Sequence, residues 1–172
     1  LPESGILTVI EAAKKLEGSN VDFLVIGRGF MYREVWAAMK GLAPKNVEID
    51  EEFLPADELR RAMLSCHVSI GQVADHPRLK RTLPCKLFES LALKLPYITG
   101  KNTPLLELLT DGIDCISIEP GDAEGLANAV MRLKDDQTLR EKIAEAGYEM
   151  YRNKMTSKTL AKRLLFELGY EG

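Results

Sequence analysis

The chain has 172 residues, 45% of them hydrophobic and 28% charged, with a net charge of −3. These proportions fit a globular domain and exclude a disordered chain or a disulfide scaffold. One domain of this length buries roughly two thirds of the surface its unfolded form exposes, and the acidic balance argues against a nucleic-acid partner. The longest apolar runs, residues 22–27 and 68–71, are strand-length, far short of the roughly 20 residues a membrane span requires. Glu3, Glu11, Lys14 and Lys15 interrupt any apolar core of a signal peptide. Cys66, Cys85 and Cys115 are widely spaced and form no Cys-x-x-Cys pair, so all three are expected to be reduced and buried in a cytoplasmic protein. No spacing of ligands predicts a metal site.

Helices and short strands alternate along the sequence. Ile6, Val9, Ile10, Ala13 and Leu16 fall at helical spacing and open the chain. A compact apolar run over 21–27 predicts a buried strand, followed by a helix over 31–39 and a short strand over 47–49. Pro55 starts a helix carrying Leu59, Ala62, Met63 and Cys66 on one side, and 68–71 is again strand-like. Pro84 is the expected first residue of a helix whose apolar stripe is Leu87, Phe88, Leu91, Ala92 and Leu95. A strand over 97–99, a short helix from Thr103-Pro104 and a strand over 115–118 come next. Asp122 is placed to cap a helix over 123–133, because its carboxylate can accept the first free amide hydrogens. Helices over 138–151 and 157–168 complete the order.

This alternation predicts an α/β fold, a Rossmann-like parallel sheet with helices on both faces, in a single domain over 1–172. Ligands in such sheets bind at the carboxyl ends of the strands. The loops at 27–30, 50–54, 71–84, 100–104 and 119–122 are therefore the candidate site. The first helix begins with no strand to feed it, so the chain is expected to lack the opening strand of such a domain.

Gly27-Arg28-Gly29 joins a strand to a helix, where glycine lets the backbone approach a phosphate and the helix offers free N–H groups. The complete dinucleotide fingerprint is absent, since Tyr32 stands where its third glycine would be. A hydride-transfer enzyme is disfavoured, and a plain tight turn remains an alternative. Arg78, Lys80, Arg81 and Lys86 concentrate positive charge just before and inside a helix start. Lys86 would favour a phosphate, and Glu89, one turn deeper, could accept hydrogen bonds from ribose hydroxyls. The competing reading is a solvated basic loop with a surface pair worth tenths of a kcal/mol. Glu107, after the Thr103 helix start, either faces the same cleft or is a surface glutamate. His67 reads as structural and His76 as part of a loop.

Taken in order, these blocks resemble the carboxyl-terminal domain of the retaining, GT-B-fold glycosyltransferases of group 1. The most specific is Lys86-Leu-Phe-Glu-Ser-Leu-Ala-Leu-Lys-Leu-Pro-Tyr-Ile98, similar to the family's Lys-Leu-Phe-Glu-x-x-Ala-x-Gly-x-Pro-x-Ile. Val21-Asp-Phe-Leu-Val-Ile-Gly-Arg-Gly29, the segment 47–66, Glu107, Asp111-Gly112 and Pro120-Gly-Asp122 fall at matching stations.

The resemblance implies a donor-binding domain that holds a nucleoside diphosphate sugar without a metal or other cofactor, for transfer of a hexose to a hydroxyl. The saccharide or lipid-linked acceptor would bind a separate amino-terminal domain, and the full-length protein would have peripheral membrane contact. Gly27, Arg28, Gly29, Arg81, Lys86, Glu89, Thr103 and Glu107 are the donor-binding candidates, with no residue assigned to catalysis. Glu89 matches the second of a family pair of glutamates, and Arg81 stands where the first belongs. Lys94 replaces a usual glycine. Ser4 stands where a phosphate-neutralising lysine precedes Gly5, and the arginine that accompanies it would lie before Leu1. The resemblance therefore implies that this chain alone has little activity, since such cations stabilise the departing diphosphate. Two alternatives are a nucleotide-sugar epimerase of related fold and an interaction module that has lost its ligand.

Overall fold

The computed structural model describes residues 4–27 and 32–170. The elements follow the expected order: α1 (Ile6–Lys15), β1 (Phe23–Ile26), α2 (Tyr32–Leu42), β2 (Val47–Asp50), α3 (Ala56–Leu64) and β3 (Ser69–Ile70). After a 3-10 turn at Pro77–Arg81 come α4 (Cys85–Ala92), β4 (Tyr97–Gly100), α5 (Thr103–Leu106), β5 (Ile116–Ile118), α6 (Ala123–Asp135), α7 (Gln137–Lys154) and α8 (Ser157–Glu167). All ladders are parallel. Phe23 pairs with Val47 and Ile26 with Asp50, while Ser69 pairs with Tyr97 and Ile98 with Ile116. The strands form two groups, β1-β2 and β3-β4-β5, with no ladder between β1 and β3. Among the described residues no helix is long and apolar enough to cross a membrane.

Side-chain alternation along β4 divides the core into two layers. Ile98 lies beside Ile116 and packs with Val9, Ala12 and Ala13 of α1 and Leu126 and Val130 of α6. Tyr97, one residue earlier, belongs to the opposite layer with Leu87 and Leu91 of α4 and Met150 of α7. Every residue of β4 is buried, as a parallel strand covered on both faces requires. Burial of Leu87 and Leu91, at 0% and 1% exposure, contributes roughly 2 kcal/mol each.

Asn46 joins the end of α1 to the start of β2, donating from Nδ2 to the carbonyls of Ala13 and Val21, both at 3.0 Å. Asp122 caps α6 as its position predicts, accepting the Gly125 amide at 2.9 Å. Asp136 does the same for α7 through Leu139 at 2.8 Å.

Three expectations are corrected. Pro84 is extended (φ −76°, ψ 142°) and precedes α4 rather than lying inside it. Leu95 lies beyond the helix, although it is buried. Lys94 adopts φ 57°, and the amides of Lys94 and Leu95 return to the carbonyls of Leu91 and Ser90, both at 3.0 Å. That pattern is a Schellman stop, which brings an apolar residue back onto the helix it ends. Its left-handed position is the one where the resembled family has glycine. Finally, the thiols are free but not uniformly buried: Cys115 is buried, Cys66 half-buried and Cys85 exposed. Cys85 begins α4 on the side turned away from Leu87 and Leu91.

The loops at the carboxyl ends of the strands converge on Val73, which is fully buried. Its amide reaches the Ser4 carbonyl at 3.5 Å, and its own carbonyl accepts from Gly121 at 2.7 Å. The neighbouring Gln72 carbonyl accepts from Gly100 at 2.9 Å. Gly5, in the left-handed region at φ 72°, sits so close that a Cβ would lie 2.6 Å from the Ala74 nitrogen and 2.7 Å from a Val73 methyl. Gly5→Ala is therefore expected to cost about 2 kcal/mol or more, combining backbone strain with overpacking, and urea denaturation measures it. Lys94→Gly should instead raise the urea midpoint, because it relieves the left-handed strain and loses only exposed contacts, the pair with Glu145 and the approach to the Tyr148 ring.

Candidate functional site

The local structure of α4 fixes its first turn. Ser90 Oγ donates to the Lys86 carbonyl at 2.6 Å and lies 2.7 Å from Ser69 Oγ on β3. Ser90 is fully buried, so this small polar bridge ties the start of α4 to the adjacent strand. Lys86 is consequently held half-buried, on a cleft of about 1160 Å³ that Gly27 also lines. Burial pushes the Lys86 ammonium below its ordinary value of 10.5, and the Glu89 carboxylate one turn on opposes that shift. Glu89 itself is exposed. A partly desolvated cation with one exposed carboxylate nearby favours an arriving anion, which would restore the solvation that burial removed.

Gly27 ends β1 at φ 117°, and its amide donates to the Asp50 carbonyl at 2.7 Å. Arg28 and Gly29 lie outside the described residues. Arg81 is exposed at the end of the 3-10 turn. That turn is anchored by buried Leu79, and His76 Nδ1 accepts the Arg78 amide at 3.2 Å. His76 thus caps the turn, a role that its reading as plain loop did not assign.

Thr103 and Glu107 line a different cavity from Gly27 and Lys86. Both are exposed and, with Lys101, Asn102 and Leu106, line a second, shallow cavity of about 400 Å³. Asn102 is buried and caps α5, its Oδ1 accepting the Leu105 amide at 2.9 Å. Lys101 pairs with Glu119 at 2.6 Å, joining the ends of β4 and β5. The candidates therefore form two groups on cavities with no lining residue in common: Gly27 with Lys86, and Thr103 with Glu107.

Sequence reasoning missed Asn102, although Asn followed by Thr-Pro is a readable helix-start signal. It also missed Ser69 and Ser90, whose contact is made only in the tertiary fold. Lys134 and Arg140 on the large cleft escaped notice as well. Arg140 is held there by donating to the Leu133 carbonyl at 2.8 Å. Among the described residues, no three His, Cys, Asp or Glu side chains are grouped to hold a metal ion.

A family model described as "Glycosyl transferases group 1" matches residues 1–150. The chain is 25% identical over 171 residues to the capsular polysaccharide biosynthesis glycosyltransferase CapM of Staphylococcus aureus, covering 94% of this chain and 42% of that protein. It is 26% identical over 150 residues to an alpha-D-kanosaminyltransferase of Streptomyces kanamyceticus, covering 83% and 36%. The chain thus spans less than half the length of these relatives. Its fold is similar to the carboxyl-terminal domain of a group 1 glycosyl transferase (LpcC) from Francisella tularensis, with TM-score 0.75, 19% identity and coverage of 91% and 82%. HepE from Anabaena, solved in complex with UDP-glucose, matches at TM-score 0.82 and 17% identity, covering 99% of this chain and 46% of that one.

The Lys86 Nζ is expected to titrate below 10.5 in heteronuclear NMR, since burial disfavours its charged form. Glu89→Gln should move that titration further down, because the carboxylate is the group that raises it. An unchanged Lys86 titration in this variant would show that the two groups are not coupled.

Proposed function

Because the chain belongs to the group 1 glycosyltransferases, we propose that it is the donor-binding domain of a hexosyltransferase. It binds a nucleoside diphosphate sugar and presents the sugar to a hydroxyl acceptor. A saccharide or lipid-linked acceptor is held by a separate amino-terminal domain, and this chain alone has little activity. The observation that carries the reading is the half-buried Lys86, fixed by the Ser69–Ser90 bridge on the same cleft as the end of β1.

In this reading Lys86 meets a phosphate, and Glu89 accepts from ribose hydroxyls. Gly27 leaves room for the diphosphate, while Thr103 and Glu107 contact its sugar end. Charge on the diphosphate is met by side chains and backbone amides, with no metal required. The UDP-glucose bound by HepE makes a uridine nucleotide the first candidate. A non-catalytic module is the competing reading. It draws support from Arg81 and Ser4, which replace a glutamate and a lysine of the resembled pattern.

Calorimetric titration with UDP, GDP and ADP tests the proposal. Binding of one nucleotide, tightened by one sugar, supports it and identifies the donor. Lys86→Ala and Glu89→Ala are each expected to weaken that binding about tenfold, or about 1.4 kcal/mol, while the unfolding midpoint stays near that of the unaltered chain. Undiminished affinity in both variants removes them from the site, and silence from all three nucleotides favours the non-catalytic module.

A further inference from the structure

The 3-10 turn at Pro77–Arg81 carries Arg78, Lys80 and Arg81, three cations in four residues of a chain whose net charge is −3. Its backbone is fixed from several sides. His76 Nδ1 accepts the Arg78 amide at 3.2 Å, and the Leu79 amide donates to the His76 carbonyl at 3.0 Å. Thr82 Oγ1 closes the far side by donating to the Arg78 carbonyl at 3.1 Å. Leu79 is buried and anchors the turn from within. Arg81 takes no part in this construction. Its side chain is exposed, and among the described residues it enters no ion pair.

The turn packs against α5, whose exposed Thr103 and Glu107 line the shallow cavity. Charge around that cavity is divided. Lys101, on its lining, is already paired with Glu119 at 2.6 Å, while Glu107 presents an exposed carboxylate. An ionised glutamate offers only acceptors, so Glu107 suits hydroxyls and repels an anion. Arginine carries its donors in a planar fork that matches a carboxylate in bidentate fashion. A ligand with hydroxyls on one side and a carboxylate on another would therefore be oriented by Glu107 and Arg81 together. The reversed orientation would set like charges side by side, which gives selectivity as well as affinity.

We propose that this turn is a subsite for an anionic substituent of the donor sugar, and that the sugar transferred is a uronic acid whose carboxylate Arg81 holds. The proposal rests on the donor-binding reading, in which Thr103 and Glu107 meet the sugar end, and adds to it the class of sugar. A turn fixed before its ligand arrives loses little freedom on binding. A charge-assisted pair made there is expected to strengthen binding about tenfold.

Calorimetric titration with UDP, UDP-glucose and UDP-glucuronate tests the proposal, since the two sugar forms differ only in the carboxylate. UDP-glucuronate is expected to bind about tenfold more tightly than UDP-glucose. Arg81→Gln should bring the two to equal affinity while the unfolding midpoint is kept, because the side chain is exposed. Arg81→Lys should retain part of the preference, with the charge but not the fork. Binding of UDP with no preference between the sugar forms overturns the inference and leaves the donor-binding reading standing. A preference that survives Arg81→Gln also overturns it, as does a loss shared equally by UDP and both sugar forms, which would put Arg81 at the diphosphate. Silence from all three removes the donor reading for a uridine nucleotide and the inference with it.

Discussion

The fold depends on a close backbone meeting at Val73. Parallel strands deliver their loops to one end of a sheet, but those loops must still be tied together. Here Ser4, Gly100 and Gly121 converge on residues 72–73 through main-chain hydrogen bonds. Glycine is used where the approach is closest: a Cβ on Gly100 would stand 3.0 Å from the Gln72 carbonyl oxygen, and one on Gly5 would collide with Ala74. The result is a rigid rim built from backbone, from which the side chains of neighbouring loops project. A site on such a rim depends on the strands beneath it, as ligand sites in open α/β sheets do.

At the start of α4, neighbouring residues divide packing, termination and exposure between them. Leu87 and Leu91 bury the helix against Tyr97, and Ser90 ties it to Ser69 on β3. Phe88 packs at the margin of that core. With those positions fixed, Lys86 is held half-buried on the cleft and Glu89 is left one turn on at the surface. The Schellman stop at Lys94 then returns buried Leu95 to the core and aims the chain into β4. Each residue of the block thus serves packing, termination or the cleft, and the cation takes its position from its apolar neighbours.

The two-sheet arrangement bears on the electrostatics of the cleft. Lys86 lies half-buried on this cleft, and burial lowers its ammonium below the ordinary value. Cys115, sealed in the opposite layer, shows the contrast: its thiol is pushed up to about 12, mainly by burial and further by Asp114 and Asp111. Tyr97 is raised for the same reason, with a buried hydroxyl. Neither group faces the cleft, so these shifts belong to packing and not to the site.

The sequence by itself determined the element order and the parallel α/β class, because helical and strand periodicities differ and each segment kept to one of them. It also determined the caps at Asp122 and the placement of Lys86 and Glu89 one turn apart on α4, since these are local relations. Tertiary structure alone decided the rest. The meeting at Val73 has no sequence signal, because it joins residues far apart along the chain. The exposure of Cys85 followed from which side of α4 is buried, and the left-handed turn at Lys94 from where that helix ended. That Thr103 and Glu107 line one cavity and Gly27 and Lys86 another was likewise a matter of which strand end each loop occupied, and local pattern carries no information about how strand ends are arranged.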